Sequence, residues 1–461
     1  MIAGICPTCG LPKEICVCED LGRETTQLSV EMDTRRYGKA VTVVRGLESK
    51  PDEAEKLARD LKKGLATGGS GKGGVIVLQG DHRKDVVRLL QSKGYNVRRR
   101  RPLSRAAHFR RHRAGVPMRA VVVPHYGGPE VLELVPDYPD PVPGPDQVIV
   151  RVHATSLNHL DLFVREGIPT LKLTLPHILG CDAAGDIAEV GSDVMDLEAG
   201  DRVVVNPGIS CGRCEYCLKG EDSSCVDYKI LGEHLPGAYA EKVAVPARNV
   251  LKIPTDMEFA PAAAAPLAFM TAWRMLVTRA HVRPGEDVLI LGAGSGVSTA
   301  AIQVAKLAGC TVFVTSSSDA KLEKAKPLGA DVLVNYRSMP WSKAIWELTG
   351  KRGVDVIVDH VGQTTFKDSV RTLRKGGRIV VPGATTGSML ELDARYLFWR
   401  QLSVLGSTMA NQREFEEVMK LVFMGRLKPV VDRIFPLAQA REAHEYLAKG
   451  EQFGKVVLAI D

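Results

Sequence analysis

Four cysteines in the middle of the chain have the spacing of a metal site. Cys211, Cys214 and Cys217 are separated by two residues each, and seven residues lie between Cys217 and Cys225. Four thiolates saturate a tetrahedral zinc ion and leave no coordination position for a substrate. The spacing therefore predicts a structural zinc that stabilises a loop and does no chemistry. Disulfides are the alternative, which a reducing compartment disfavours.

A second group of four cysteines, Cys6, Cys9, Cys16 and Cys18, lies near the start of the sequence. The first two and the last two of these cysteines are closely spaced along the chain. Two closely spaced pairs can bind one zinc ion together and stabilise a segment that is too short for a core of its own. We therefore expect a zinc ribbon over residues 1–22. The second pair is C-x-C instead of the commoner C-x-x-C, so free or redox-active thiols are the alternative interpretation.

A glycine-rich turn predicts a phosphate site. Residues 287–291 have the pattern of a strand and residues 299–308 that of a helix. A turn between such elements brings backbone N–H groups and a helix N-terminus to a pyrophosphate. Val297 and Ser298 stand where the G-x-G-x-x-G pattern has its third glycine. The expected contacts are Gly292, Gly294, Ser295, Gly296 and Val297.

The next strand bears on which nicotinamide cofactor binds. An acidic residue at its end would hydrogen-bond the ribose 2′-hydroxyl of NAD(H). The strand predicted over residues 311–315 instead runs into Ser316, Ser317 and Ser318, with Lys321 shortly after. Hydroxyl groups and an ammonium suit a 2′-phosphate, so we expect NADP(H) in preference to NAD(H). An ordinary surface role for Lys321 is the alternative.

Regular elements are needed to position these motifs. Strands at residues 332–334, 354–358 and 378–381 alternate with helices, which predicts a doubly wound parallel sheet and thus a Rossmann domain over residues 266–399. Short valine-rich strands, punctuated by Gly and Pro, fill residues 118–250 and predict a barrel-like β domain.

The first part of the chain predicts a separate two-layer α/β domain over residues 23–100. Two strands flank the basic turn Arg35-Arg36-Tyr37-Gly38-Lys39, which is the pattern of a hairpin with a cationic tip. The glycines of residues 68–74 are expected in a loop. The order β-β-α-β-α-β is predicted, with strands over residues 27–32, 40–44, 75–78 and 95–97 and helices from Pro51 and over residues 82–93.

The 461 residues predict a multi-domain chain, of two to four domains, and 45% hydrophobic residues exclude a disordered one. Residues 1–117 carry 24 basic and 13 acidic side chains, whereas the remainder carries 37 and 41, so the two parts are expected to have different partners.

Residues 101–117 contain five arginines and no acid, which predicts a mobile linker in a fusion of two proteins. Since neither a leader nor an apolar stretch of membrane-spanning length is evident, we expect a cytoplasmic protein without a membrane partner.

The first hundred residues contain the tip RRYGK, the stretch ATGGSGKGGVIVLQGDHR and the ending LLQSKGYNV. With the ribbon cysteines, these motifs resemble the translation initiation factor 1 family. Members of that family bind the small ribosomal subunit and place the basic tip against rRNA. The resemblance implies RNA contacts at Arg35, Arg36 and Lys39, with Lys72 and Arg83 as further candidates. Binding to the RNA backbone is expected to depend strongly on salt.

From Met118 onward the segments NHLDLFVREG, GCDAAGDIAEVG, APLAFMTAW, VDVIVDHVG and FGKVVLAI accompany the cysteine lobe and the glycine turn. They resemble the medium-chain dehydrogenase/reductase superfamily of zinc-type alcohol dehydrogenases and quinone oxidoreductases. The resemblance implies a GroES-like catalytic domain over residues 118–265 and 400–461 with the Rossmann domain inserted, and a homodimer. It also implies 2′-phosphate contacts at Ser317, Lys321 and Tyr336 and places Thr271 beside the nicotinamide.

This sequence departs from the zinc alcohol dehydrogenases at the catalytic metal. The three ligand positions are Asn158, Cys181 and Leu267, so a catalytic zinc is not expected. The alternative is a rearranged site that uses His159, Asp161, His177 and Asp182.

Without that zinc, we expect NADPH-dependent reduction of a quinone, enone or related carbonyl compound. The candidate catalytic residues are Asn158, as a hydrogen-bond donor, Asp161 and Thr271. A zinc-dependent alcohol dehydrogenase and an inactive dehydrogenase that serves as a binding module are the alternatives.

Overall fold

The structure, a computed structural model, describes residues 27–34, 40–47, 51–93, 95–98, 117–169 and 171–460. The chain divides into two compact units between Arg113 and Ala114, inside the segment that we expect to be a linker. The predicted zinc ribbon with its four cysteines, the hairpin tip with Arg35, Arg36 and Lys39, and the linker up to residue 116 lie outside the described residues.

The N-terminal unit is a five-stranded sheet packed against two helices. Its strands lie in the order β3-β4-β2-β1-β5, with β5 parallel to β1 and the other pairs antiparallel. Leu28, Leu61 and Leu90 come from a strand and from both helices and are fully buried in one core. The elements are β1 Gln27–Thr34, β2 Ala40–Arg45, α1 Pro51–Leu65, β3 Gly69–Lys72, β4 Val75–Gln79, α2 Arg83–Ser92 and β5 Asn96–Arg98.

The strand β3 corrects the sequence prediction, which treated this glycine-rich stretch as a loop. It pairs with β4 through a tight turn at Gly73 and Gly74, whose φ angles are +59° and +79°. A Cβ atom added at Gly71 would lie 2.8 Å from the Cβ of Ala58 and 2.9 Å from the carbonyl oxygen of Ala54. The glycines are therefore explained by the close approach of an edge strand to α1.

The C-terminal unit begins with a GroES-like domain. A seven-stranded sheet has β8 at its centre, and a three-stranded sheet of β7, β6 and β9 shares its core. The elements are β6 Met118–Val123, β7 Glu133–Tyr138, β8 Gln147–Ser156, α3 His159–Glu166, β9 His177–Ile178, β10 Asp182–Val190, β11 Arg202–Val205, β12 Gly208–Ile209, α4 Glu215–Leu218, β13 Lys229–Ile230, β14 Lys242–Pro246, β15 Val250–Lys252 and α5 Phe259–Ala263.

A parallel sheet of six strands follows, in the order β18-β17-β16-β19-β20-β21. This is the Rossmann order, in which the direction of strand addition reverses between β16 and β19 and leaves a crevice at the carboxyl ends of the strands. The elements are α6 Pro266–Trp273, a π-helical segment Arg274–Arg279, β16 Asp287–Ile290, α7 Gly296–Leu307, β17 Thr311–Ser316, α8 Asp319–Ala325, β18 Val332–Asn335, α9 Trp341–Leu348, β19 Val354–Val358, α10 Phe366–Thr372, β20 Leu373–Val381, α11 Ala394–Arg400, β21 Ser403–Gly406 and α12 Gln412–Phe423.

The Rossmann sheet continues past residue 399, the end of the Rossmann domain that we expect from the sequence. The β21 strand is its sixth strand and pairs in parallel with β20 from Arg378 to Val381. The strand was missed because Ser403 and Val404 are exposed at a sheet edge and lack the apolar run of an inner strand.

The last strands of the chain belong to the GroES-like domain. The last elements are β22 Val431–Pro436, α13 Ala440–Ala448 and β23 Lys455–Ala459. Because β23 pairs antiparallel with β8 and β22 lies beside it, both ends of the unit build the GroES-like sheet. No helix in the described parts of the chain combines the length and the apolarity that a bilayer span requires.

Candidate active site

The glycine turn connects β16 to α7 in the Rossmann domain. Ser295 caps the helix, because its hydroxyl oxygen accepts a hydrogen bond from the Ser298 backbone N–H at 3.0 Å. The Ser298 hydroxyl is buried and lies 3.1 Å from the carbonyl oxygen of Leu291. A serine at this position thus fits where a strand and a helix pack closely, which accounts for the missing third glycine.

Two lysine side chains cross the turn. A Cβ atom added at Gly294 would lie 3.1 Å from Nζ of Lys321, and one added at Gly296 would lie 2.5 Å from Cδ of Lys455. The turn is also fixed to the chain before β23, since the Gly454 N–H donates to the Gly294 carbonyl at 2.9 Å. Bare backbone, a helix N-terminus and the Lys321 ammonium form a binding site that fits a pyrophosphate.

The predicted 2′-phosphate residues lie at the carboxyl ends of β17 and β18. The Tyr336 N–H donates to the Ser316 carbonyl at 3.0 Å, so Tyr336 and the Ser317 segment are neighbours. The ammonium of Lys321 points elsewhere, since it donates to the Gly450 carbonyl at 2.5 Å, close to the glycine turn, and burial lowers its pKa. The structure therefore groups Ser317 with Tyr336 and places the Lys321 charge over the turn.

His360 follows β19 and was not identified from the sequence. Its Nε2 lies 2.9 Å from the Ser298 hydroxyl and 3.1 Å from the Ser295 hydroxyl, and burial lowers the pKa of His360 to about 4. Its Nδ1 has no hydrogen-bond partner among the residues that the structure describes, and the same holds for the buried hydroxyl of Thr271. The signal available in the sequence was its place directly after a central strand of the sheet.

The three positions that the resemblance assigns to ligands of a catalytic zinc, Asn158, Cys181 and Leu267, lie close together in the C-terminal unit. The Asn158 amide nitrogen lies 3.7 Å from Sγ of Cys181 and donates to the Asp182 carboxylate at 2.8 Å, while the Leu267 N–H donates to the same carboxylate at 2.8 Å. Leucine carries no ligand atom, so this trio offers one good zinc ligand, Cys181, where three are the usual minimum.

Lys455 completes this cluster, and sequence reasoning missed it. Its ammonium donates to Asn158 Oδ1 at 2.5 Å and to Asp182 Oδ2 at 3.1 Å, and its side chain is 5% exposed. The amide hydrogens of Asn158 are directed to Asp182 and, at 3.4 Å, to the Ser156 carbonyl. Asn158 is thus engaged within the protein on both sides, which departs from its expected role as a donor to substrate.

Asp161 is buried beside Asn158 of the same cluster. It accepts hydrogen bonds from the backbone N–H groups of Asn158 at 2.7 Å and Gly180 at 3.1 Å. Burial nevertheless raises the pKa of Asp161 to about 7. The carboxyl group thus fixes the loop before α3 against the loop before β10.

The rearranged zinc site that we considered is not formed. His177 Nε2 lies 3.0 Å from the Gly232 carbonyl, while Asp182 is engaged with Lys455. Within the described residues, the one cluster of three or more His, Cys, Asp or Glu ligand atoms is that of the predicted lobe. The ligand atoms of its members all lie within 4.8 Å of one another: Cys211, Cys214, Cys217 and Cys225. These four thiols form the structural zinc site.

Hydride transfer through a nicotinamide dinucleotide requires a pyrophosphate cradle beside a pocket for the substrate, and the Rossmann crevice combines the two. The Thr271 hydroxyl, which has no hydrogen-bond partner among the described residues, and the pyrophosphate site at the glycine turn fit this cofactor. The C-terminal unit thus has the architecture of an NAD(P)-dependent oxidoreductase.

Comparison with known proteins identifies the family. Residues 144–255 match the alcohol dehydrogenase GroES-like domain, residues 296–424 the zinc-binding dehydrogenase family and residues 24–96 the translation initiation factor SUI1 family. The chain belongs to the zinc-type medium-chain family of alcohol dehydrogenases and quinone oxidoreductases, and it carries an N-terminal initiation factor domain.

Three similar proteins illustrate the relationship. A zinc-type alcohol dehydrogenase-like protein of Schizosaccharomyces pombe is 36% identical over 325 residues, which cover 69% of this chain and 92% of that protein. Human quinone oxidoreductase is 30% identical over 350 residues, 74% of this chain and 98% of its own. A solved NAD-dependent alcohol dehydrogenase is 50% identical, with a TM-score of 0.72 over 75% of this chain and 100% of that structure.

Proposed function

We propose that the C-terminal unit reduces a quinone, an enone or a related carbonyl compound with hydride from NADPH. The observation that carries this proposal is the donor set Asn158, Cys181 and Leu267, in which one amide is bound to a lysine and one residue is apolar. Such a set does not fit a catalytic zinc. Reduction of a simple ketone to an alkoxide depends on that cation, whereas an activated double bond or a quinone needs less stabilisation.

The chain's own residues then bind and orient the reactants. Bound NADPH would supply the hydride. Thr271, with its unpartnered buried hydroxyl, is the candidate donor to the nicotinamide or the substrate. Asn158 positions the Lys455 ammonium through its side-chain oxygen, and Asp161 positions the loop that carries Cys181. We assign both residues a positioning role.

The preference for NADPH rests on the ends of β17 and β18. Ser316, Ser317 and Ser318 provide hydroxyls where NAD-dependent enzymes have a carboxylate, and Tyr336 adds a phenol beside them. The nearby Asp319 carboxylate accepts a hydrogen bond from the Asn335 amide at 2.8 Å. Because one similar solved structure is an NAD-dependent enzyme, NAD(H) is the competing outcome that a titration has to test.

A substrate screen on the full chain tests the reaction. We expect NADPH oxidation with 9,10-phenanthrenequinone or an enone such as 3-nonen-2-one, and none with cyclohexanone. Thr271→Val should lower kcat, while Thr255→Val, at an exposed position of the GroES-like domain, should leave it unchanged. Oxidation of simple alcohols, together with zinc beyond that of the cysteine clusters, would establish the alcohol dehydrogenase alternative. Cofactor binding without turnover of any substrate would establish the binding-module alternative.

We also propose that this unit forms a homodimer. The β21 strand lies at the edge of the parallel sheet, and the side chains of Phe398 and Trp399 just before it are 66% and 76% exposed. An open strand edge next to large exposed aromatic side chains favours pairing with a second copy. Sedimentation equilibrium of the wild type and of Trp399→Lys measures this directly.

For the N-terminal unit we propose binding to the small ribosomal subunit. The match of residues 24–96 to a translation initiation factor family and the five-stranded α/β unit support it. The expected contacts remain Arg35, Arg36 and Lys39. Cosedimentation with small subunits at increasing salt is the test, with the triple Ala variant against the wild type; affinity should fall with salt, and less steeply in the variant.

A further inference from the structure

A cleft of about 580 Å³ lies between the cysteine lobe and the Rossmann sheet. Ser223 and Ser224 line it from the lobe, Arg274 and Arg279 from the π-helical segment, and residues 381–384 and 406–408 from the ends of β20 and β21. The carboxyl ends of the second half of a Rossmann sheet face the nicotinamide half of the dinucleotide. The cleft is therefore where a substrate would reach the reactive end of the cofactor.

The two arginines of the cleft differ in their surroundings. Arg274 is neutralised, since its guanidinium lies 2.7 Å from Glu414 and 3.1 Å from Glu221. Arg279 donates through Nε to the Gly406 carbonyl at 2.9 Å, and its terminal nitrogens meet no hydrogen-bonding or acidic partner in the described chain. Among the described residues that line the cleft there is no Asp or Glu. Arg279 thus contributes an exposed positive charge that has no acidic partner among the described residues.

Two serine hydroxyls of the cleft also have no hydrogen-bond partner among the described residues. Oγ of Ser223 and Oγ of Ser407 are buried without a hydrogen-bond partner in the part of the chain that the structure describes, and Ser407 is 8% exposed. A buried polar group without a partner costs free energy, which a bound oxygen atom would recover. The remaining wall is apolar, with Val381, Pro382 and Leu390.

We propose that this cleft binds an oxyanion of the substrate, a carboxylate or a phosphate, through Arg279 and the two serine hydroxyls. The substrate is then an anionic carbonyl-conjugated compound whose charged group lies a few bonds from the carbon that is reduced. The planar guanidinium matches the two oxygens of such a group, and the apolar wall covers the carbon skeleton. This assignment of the substrate class rests on the proposed reductase function.

Matched charged and neutral substrates test it on the full chain. The wild type should reduce 3-benzoylacrylate with a kcat/KM at least tenfold above that for its methyl ester. Arg279→Gln should lower the value for the acid by about 10 to 100-fold, mainly through KM, and leave the ester unchanged. Arg279→Lys should retain part of the preference, and Arg426→Gln, at an exposed position outside the cleft, all of it. Equal rates for acid and ester in the wild type would overturn the proposal.

A binding measurement separates this proposal from the proposed reaction. By calorimetry the unreactive acid 3-benzoylpropanoate should bind the wild type, and at least tenfold more weakly the Arg279→Gln variant, even if no enone is reduced; in that case only the reductase function fails. Equal affinities for the acid and its amide would refute the anion site. Displacement of the acid by inorganic phosphate identifies a phosphate group, and resistance to displacement identifies a carboxylate.

Discussion

The ammonium nitrogen of Lys455 lies 3.1 Å from the carboxylate of Asp182, and both side chains are buried. The pair contacts Asn158, and the carboxylate also contacts Leu267, two of the three positions that the resemblance to zinc alcohol dehydrogenases assigns to ligands of a catalytic metal. Asp182 also accepts hydrogen bonds from Ser156 at 2.7 Å and from the Leu267 N–H at 2.8 Å. A buried carboxylate with this many donors is well compensated, and the lysine supplies the only opposite charge in direct contact with it among the described residues.

Removal of the lysine should destabilise the C-terminal unit. Lys455→Met leaves Asp182 as an uncompensated buried charge, so we expect a loss of about 3–5 kcal/mol in the free energy of unfolding. The double variant Asp182→Asn/Lys455→Met should recover part of it, and Lys449→Met, at the surface, should have little effect. All four tryptophans belong to this unit, so tryptophan fluorescence during urea unfolding measures its stability within the full chain. A Lys455→Met variant as stable as the wild type would contradict a stabilising role for the ion pair.

Zinc content should follow the two cysteine groups. We expect two zinc ions per chain, one fewer in Cys214→Ser and one fewer in Cys9→Ser, because each site needs its four thiolates. Elemental analysis of the purified variants measures this. Cys310→Ser is the control, since Cys310 is a buried cysteine outside both groups. An unchanged content in Cys9→Ser would show that the N-terminal cysteines do not bind zinc.

Ser317→Asp should change the cofactor preference. A carboxylate at this strand end repels a 2′-phosphate and hydrogen-bonds a 2′-hydroxyl. We expect the Kd for NADPH to rise at least tenfold and that for NADH to fall, as measured by nicotinamide fluorescence. Ser192→Asp, on the exposed surface of the GroES-like domain, should leave both values unchanged. Tighter binding of NADH than of NADPH by the wild type would reverse our assignment.

Acid should destabilise the C-terminal unit through His444. Nδ1 of this buried histidine lies 3.0 Å from the Arg165 guanidinium and Nε2 lies 3.2 Å from the Tyr239 hydroxyl. Because a guanidinium can only donate, Nδ1 must be unprotonated. Burial and the neighbouring Arg165 charge lower the pKa of His444 to about 3, against roughly 6.5 in the unfolded chain.

The direction in which stability changes with pH follows from proton uptake by His444. Between these two pKa values the unfolded chain binds a proton that the folded chain does not, so stability is full above about pH 6.5 and falls as the pH drops below it. The tryptophan-monitored melting temperature from pH 7.5 to pH 5 should fall less in His444→Gln than in the wild type. His125→Gln, at an exposed position, should follow the wild type. Identical slopes in all three proteins would exclude His444 as the source.

Local patterns in the sequence determined the structural zinc lobe, the glycine turn and the alternation of the Rossmann domain. In each case the chemistry depends on residues that are close along the chain, as with the four cysteines between Cys211 and Cys225 or the turn that begins at Gly292. Spacing alone fixes such geometry. The sequence also showed that Leu267 cannot bind a metal through its side chain, since leucine has no ligand atom whatever its surroundings.

Only the tertiary structure decided which side chains surround Asn158. Lys455 is 297 residues from Asn158 in the sequence, and no periodicity relates the two; they meet because β23 pairs with β8. The same is true of His360 beside Ser295 and of Arg279, which donates to the Gly406 carbonyl 127 residues away. Strand β3 was not predicted for a related reason. Its glycine at position 71 allows the close approach of helix α1, which is a contact that the local sequence does not show. Contacts between distant segments depend on which strands pair, and a single sequence does not specify that pairing locally.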